Sequence, residues 1–418
     1  MKDKFHYECI DCGAAYSGEK VIYLCPVCRH LNLPDQPPKG ILKTVYDYPL
    51  IQSLYPGKDL FIQLQKDRFL PLLPILNMDN WPNMRIGNTP LYRFDRVDAG
   101  FDIFLKDDSQ NPTFSFKDRA SALVSAWARE NRINTIIAAS TGNAGSSLAG
   151  ICAAQVQKSF IFVPARAPLA KLTQIVMYGA TIIPVNGTYD TAFDLSVKAT
   201  EIFGLYNRNT AYNPLTIEGK KTVSFEIFNQ LQGTVPDRIF VPTGDGVILA
   251  GVYRGFEDLL LTGIIDRMPV IVAVQSSGSP NLVNNLHAEK FTITPSTTIA
   301  DSISVDVPKN FNMCARFMKQ YQGEQVTVSD TEILNASVSL SRNAGIFPEP
   351  AASAAYAGLH KLSSSGLIPA GSKNVVLLTG SGLKDLNSVQ SQVKLPSPID
   401  PEIRALENVF GNTRSQNP

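Results

Sequence analysis

From about Asp102 onward, short apolar runs alternate with longer stretches whose apolar residues recur at helical spacing. Strands are predicted at 135–139, 159–163, 181–185, 238–241, 270–274 and 374–378. Helices are predicted at 118–129, 144–156, 169–178, 188–202, 247–261, 331–342 and 350–362. Strands alternating with helices point to an α/β architecture with largely parallel sheets, and ligands in such sheets bind in the crevice at the carboxyl ends of the strands. Residues 41–90 mix aromatic and proline-rich stretches and give no firm element. Residues 32–40, with Pro34, Pro37 and Pro38, read as a semi-rigid linker. There is no internal repeat, and from about Ser397 the chain reads as a mixed peripheral tail.

Composition narrows the function classes. At 418 residues the chain is long enough for two or three domains with substantial cores. Its 38 basic against 37 acidic side chains leave a formal net charge of +1, so bulk charge argues for neither nucleic acid nor an anionic membrane as partner. Met1-Lys2-Asp3-Lys4-Phe5 leads into no apolar signal core, and no apolar run is long enough to span a bilayer, so a cytoplasmic location is expected.

Six cysteines in a chain this long do not suggest a disulfide framework; Cys152 and Cys314 read as ordinary buried thiols. Cys9 and Cys12 form one Cys-x-x-Cys pair and Cys25 and Cys28 a second, 12 residues on. That spacing is close to a zinc ribbon, in which two tight knuckles offer four thiolates in a tetrahedron. Against it stands the reading of four free surface thiols. A ribbon this small is expected to need its metal to fold, so the role is structural. Residues 5–33 carry no basic excess to suit nucleic acid.

The chemistry gathers around Asn111-Pro112-Thr113-Phe114-Ser115-Phe116-Lys117-Asp118-Arg119, a turn leading into a helix. Phe114 and Phe116 are expected to strip water from Lys117 and so favour its neutral, nucleophilic amine. Taken alone the segment reads rather as a lysine whose stem covers apolar surface while its ammonium reaches water. Four further stretches occur in order with it: Arg85-Ile86-Gly87-Asn88-Thr89-Pro90-Leu91, Ser140-Thr141-Gly142-Asn143, Pro242-Thr243-Gly244-Asp245-Gly246, and Leu378-Thr379-Gly380-Ser381-Gly382-Leu383-Lys384-Asp385. Together the five resemble the threonine synthase family of the tryptophan-synthase-β-like pyridoxal-phosphate enzymes, over about Gly87 to Asp385.

The resemblance implies a two-domain, fold-type II architecture with an N-terminal zinc-ribbon-like module. The expected divisions are a ribbon at 1–33, a linker and mixed segment at 34–90, a larger cofactor-binding domain from 91–120 and 215–418, and a smaller domain at 121–214. It further implies that Lys117 holds pyridoxal 5'-phosphate as a Schiff base and, once freed, removes the α-proton of a small amino acid. Elimination or replacement at the β or γ carbon would follow. Ser140, Thr141, Gly142, Asn143 and Ala144 would bind the substrate, through free N–H groups at a helix start, and Asn143 would also meet the cofactor's ring hydroxyl. Gly244, Asp245, Gly246 and Val247 would cradle the cofactor phosphate, and Thr379 would meet the pyridine nitrogen. Asp245 beside a phosphate is repulsive, so it is expected to point away or cap a neighbouring turn. A homodimer and a structural zinc are implied in the same way.

The family pattern breaks at the expected anchors for a substrate phosphate. Ala144 stands where a threonine is usual, Thr216 where an arginine is expected, and Phe114 where glycine is common. Threonine cannot supply arginine's charge or its bidentate fork; Arg208 is the nearest cation in sequence that could. The leading expectation is a threonine-synthase-like lyase, with O-phosphohomoserine as family default. A dehydratase or ammonia-lyase acting on an unphosphorylated hydroxy- or diamino acid is the alternative that the missing anchors favour. A non-catalytic binding protein that works through its ribbon is a third reading, which the intact Lys117 opposes.

Overall fold

The computed structural model describes residues 4–96 and 99–414; residues 1–3 of the expected ribbon and 415–418 of the expected tail lie outside the described residues. Three sheets organise the chain. The first joins β1 (Phe5–Cys9), β2 (Ala15–Ser17) and β3 (Leu42–Tyr46) in the order β2-β1-β3, both pairings antiparallel. Its third strand thus comes from beyond the linker. Two short helices follow, α1 (Tyr48–Ser53) and α2 (Leu60–Lys66), each started by an aspartate, Asp47 or Asp59, whose carboxylate accepts a backbone N–H of the first turn.

The chain then lays down β4 (Leu91–Arg93), β5 (Asp102–Asp107) and α3 (Lys117–Glu130) before crossing to the four-stranded sheet. There β6 (Thr135–Ala139), α4 (Asn143–Ala154), β7 (Lys158–Pro164), α5 (Leu169–Met177), β8 (Thr181–Val185), α6 (Tyr189–Phe203) and β9 (Tyr206–Asn207) alternate, and the strands pair in parallel in the order β8-β7-β6-β9. Thr188 starts α6 with a capping box and Gly204 ends it in the left-handed conformation, so both ends satisfy their orphan backbone groups.

The return passes through α7 (Leu215–Lys220) and α8 (Thr222–Gln230) into β10 (Arg238–Pro242), α9 (Val247–Leu261), β11 (Val270–Ser276), α10 (Phe311–Gln320), β12 (Glu324–Val328), α11 (Asp330–Ala344), α12 (Pro350–Ser364) and β13 (Lys373–Leu378). These strands join β4 and β5 in a six-stranded sheet, β12-β11-β10-β13-β5-β4, parallel except where β4 runs against β5. Its central strands are apolar on both faces because helices cover both. Ile239, Val241, Ile271 and Val375 face the core shared with α9, and Phe240, Val272, Val274 and Val376 face the core under α12. The alanines of α12 and Gly358, where a Cβ would come 2.7 Å from Val274 Cγ2, let that helix lie close on the sheet. The chain closes with α13 (Leu386–Val389) and α14 (Ile403–Arg414). Among the described residues no helix is long and apolar enough to cross a membrane.

Candidate active site

Lys117 is the first residue of α3. The turn before it is pinned by Asp118, whose carboxylate accepts the N–H of Thr113 at 2.7 Å and its hydroxyl at 2.5 Å. Ser115 then forms an isolated antiparallel bridge with Gly380, just after β13: Phe116 N–H donates to the Thr379 carbonyl at 2.9 Å and Ser381 N–H to the Phe114 carbonyl at 3.1 Å. Thr379, 5% exposed, is thereby set beside the lysine. Burial pushes the Lys117 amine down, opposed by the charge of Glu349 and reinforced by Arg208. That burial does not come from the two phenylalanine rings, contrary to what the sequence implies. The Phe116 ring is turned into the core, with the Arg119 guanidinium over it, and Phe114 is 48% exposed. Phe114 also holds φ +64°, which explains why glycine suits this position better.

Asn143 begins α4 behind Gly142, and no side chain caps that helix, so its first-turn N–H groups remain available to an anion. The Asn143 amide donates to Glu349 at 2.9 and 3.1 Å and to Ser302 Oγ at 3.3 Å. Ser140 Oγ accepts the Gly142 N–H at 3.2 Å and shapes the loop; Thr141, Gly142 and Ala144 are half-buried along it. Glu349 is a site residue that the sequence reading missed. It precedes Pro350 at the start of α12 but does not cap it, because its carboxylate is taken by Asn143. Gly380 is required here, since a Cβ would lie 2.5 Å from Glu349 Oε1. Burial holds the Glu349 carboxyl above its ordinary range, with Asn143 and Lys117 pulling the other way. The available signal was an acid at an N-cap position, immediately before a proline.

The loop Gly244–Val247 leads into α9, also uncapped by any side chain. Gly246 sits at φ +84°, and a Cβ there would meet Cys314 Sγ at 2.6 Å. Asp245 does turn to a neighbour, accepting the Lys309 N–H at 3.4 Å, and burial raises its carboxyl while Lys309, Lys220 and Lys117 lower it. Of the substrate-phosphate positions, Thr216 is buried and its hydroxyl donates to the Asn213 carbonyl of its own turn at 2.8 Å. Arg208 lies against α3, with Nε donating to Ser121 Oγ at 3.2 Å and Nη1 to Thr210 Oγ1 at 3.1 Å.

The remaining motifs build the frame. Gly87, Asn88 and Thr89 give their N–H groups to Asn111 and Glu226. Arg119 joins Asp108 (2.6 and 2.9 Å) to Glu226 (2.6 and 2.7 Å), fixing α3 to α8 and to the turn after β5. Lys384 reaches across to Ser146 on α4 (2.8 Å) and Gln174 on α5 (2.5 Å). Burial, partly offset by Glu349 and Asp118, brings its amine down to about 8.

Some distance along the chain, Cys9, Cys12, Cys25 and Cys28 place their sulfurs within 4.8 Å of one another, a group able to hold a metal ion. The Cys9–Cys28 and Cys12–Cys25 separations, 3.8 and 3.7 Å, match the edge of about 3.8 Å of a tetrahedron with metal–sulfur bonds of about 2.3 Å.

Comparison with known proteins identifies the family and the fold. The pyridoxal-phosphate dependent enzyme family matches residues 83–380. Threonine synthase of Methanocaldococcus jannaschii is 32% identical over 96% of this chain and 98% of its own length. That of Methanosarcina acetivorans is 33% identical over 98% and 100%. Among solved structures, threonine deaminase isoform 2 of Solanum lycopersicum superposes with a TM-score of 0.63 at 22% identity, covering 72% of this chain and 82% of that one. Maize serine racemase gives 0.64 at 20%, covering 81% and 98%. These two likenesses concern the fold alone.

Proposed function

Because this chain belongs to the threonine synthase family of pyridoxal-phosphate-dependent enzymes, we propose that Lys117 is the lysine that carries the cofactor and moves the α-proton of a small amino-acid substrate. The protein is a pyridoxal-phosphate-dependent lyase of that family. The observation that carries the residue assignment is the convergence of Lys117, Thr379, Asn143 and Glu349 between the uncapped starts of α4 and α9.

The residues fit the cofactor. The α9 start with Gly244–Val247 would receive its phosphate, Asn143 its ring hydroxyl and Thr379 its ring nitrogen. When bound, it supplies an electron sink for charge developing at the substrate's α-carbon. The chain does the rest. The Ser140–Ala144 loop holds the substrate carboxylate on the α4 N–H groups. Lys117, whose amine burial pushes towards the neutral form, accepts the α-proton. Glu349, held against Asn143, is placed to stabilise the lysine once it becomes charged.

Four thiolates at tetrahedral separations suit a structural zinc, and a reducing, cytoplasmic setting would keep them free for it. A homodimer is the assembly that the family resemblance suggests.

A second reading, a dehydratase or ammonia-lyase for an unphosphorylated amino acid, is favoured by one observation, the inward-turned hydroxyl of Thr216. Turnover assays separate the two. Saturable phosphate release from O-phosphohomoserine supports a threonine synthase, whereas formation of a 2-oxo acid and ammonia from serine, threonine or a diamino acid, without phosphate release, supports the second reading.

A further inference from the structure

Six lysine and arginine side chains among the described residues are fully buried, and four of them rest on carboxylates. Arg119 holds Asp108 and Glu226, Lys106 holds Glu226, Lys221 holds Glu218 and Asp258, and Arg254 holds Glu218, Glu257 and Asp258. Arg208 and Lys220 are the exceptions. Both are 0% exposed, and Arg208 Nη2 and Lys220 Nζ have no hydrogen-bond partner. A buried cation without a counter-charge is costly, and two of them lie near one lysine that must itself stay neutral.

Both flank the first turns of α3. Arg208 is tied to Ser121, one helical turn after Lys117 and on the same face. Lys220 ends α7, whose Gly219 is pressed onto the backbone of Arg119 and Ala120, and its stem lies against Gly251 of α9, one turn inside the uncapped start of that helix. The charges of Arg208, Lys220 and Lys117 oppose one another, and the acids facing them are Asp245, Asp118 and Glu349. None of those acids pairs with either cation. Asp245 is turned to Lys309, Asp118 to Thr113, and Glu349 to Asn143.

We propose that Arg208 and Lys220 form a seat for a phosphate monoester dianion beside Lys117. The inference rests on the reading of this site as that of a pyridoxal-phosphate lyase. The dianion is carried by the cofactor or by the substrate; in the second case the pair does the work for which Thr216 and Ala144 lack the groups. Two unpaired cations match a dianion in charge, and the fork of Arg208 and the point charge of Lys220 approach from different elements.

The test uses the purified holoenzyme, with Arg208→Gln and Lys220→Gln, in calorimetric titrations with O-phosphohomoserine, homoserine and inorganic phosphate, and in cofactor dissociation measurements. Loss of a charged hydrogen bond corresponds to roughly a tenfold to hundredfold weaker affinity. If the substrate carries the phosphate, both variants lose that much for O-phosphohomoserine and inorganic phosphate and keep homoserine affinity. If the cofactor carries it, cofactor dissociation rises by a similar factor instead. Both variants binding every ligand within about twofold of wild type would overturn the proposal. So would a clear fall in the melting temperature of ligand-free Lys220→Gln, because its amine has no hydrogen bond to lose and removing the unpaired charge should relieve repulsion. A protein that carries no pyridoxal phosphate would sink the functional reading separately; inorganic phosphate binding by that same protein, weakened or unchanged in the variants, would then sustain or overturn the seat.

Discussion

Lys117 is controlled by the charges around it more than by any hydrogen bond. Burial favours the neutral amine, Arg208 adds to that pressure, and Glu349 and Asp245 oppose it. Glu349 is the residue at which this balance is most open to test. Its folded carboxyl lies above the ordinary 4.5, so the folded protein keeps a proton that the unfolded chain releases. Stability from this group is therefore present at low pH and falls as pH rises past about 4.5 through the raised folded value. Glu349→Gln keeps an acceptor for Asn143 and cannot titrate, so melting temperatures from about pH 5 to 8 should fall less steeply with pH than in the wild type. Parallel slopes would mean that Glu349 is ionised throughout. Lys117, Asn143 and Thr379 stand out through the resemblance of their motifs to the family; alone, those motifs, each after a strand or turn signature, read as a stem over apolar surface, a helix cap and a strand end. Arg208 stands out only as the cation nearest in sequence to the missing anchors, and Glu349 and Lys220 do not stand out at all, since their importance lies in partners distant in sequence, or in the lack of them.

Among the elements, α3 matters most because it positions Lys117, and its own position depends on the Arg119 cluster. Replacing Arg119 by alanine leaves Asp108 and Glu226 buried without their shared cation. Breaking such a pair costs about 3–5 kcal/mol, and denaturant unfolding should show a loss of that order, with Arg119→Lys losing less. A loss under about 1 kcal/mol would show that the cluster does not hold α3. The strands at 135–139, 181–185 and 374–378 and the helix at 247–261 are legible because each is a clean apolar run or period bounded by turns. β5 and β12 escaped the pattern for a physical reason. β5 carries Asp102 and Lys106, paired with Arg93 and Glu226, and Asp107, held by Ser109 and Gln110 of the turn that follows, and β12 is an edge strand with polar Glu324, Gln325 and Thr327. The stretch 41–90 gave no element because its short pieces are fixed by contacts with distant helices. Tyr48 donates to Asp258 on α9 at 2.8 Å, and Gln52 to the Thr262 carbonyl at 3.0 Å.

On the scale of the whole molecule the cysteine module is built into the same frame as the site. Tyr46 of β3 donates to Glu218 of α7 at 2.7 Å, and Arg254 of α9 donates to the Thr44 carbonyl at 2.8 Å. Tyr23 accepts the Asn207 N–H at 2.9 Å and stacks on Tyr212 at 4.5 Å. Of the elements touched, α7 carries Lys220 and β9 leads directly into Arg208. Chelating the metal, with zinc release followed by mass spectrometry, should lower the melting temperature by several degrees and loosen cofactor retention. Zinc absent from freshly purified protein, or removable with no change in melting, would contradict a structural metal.

The most direct measurement is borohydride reduction of the coloured protein, followed by peptide mass spectrometry to find the lysine that carries the cofactor. The account predicts pyridoxal phosphate fixed on Lys117, and no fixed cofactor in Lys117→Ala. Cofactor fixed on Lys220 or Lys384, the other lysines of lowered pKa around this site, or no fixed cofactor at all, would contradict it.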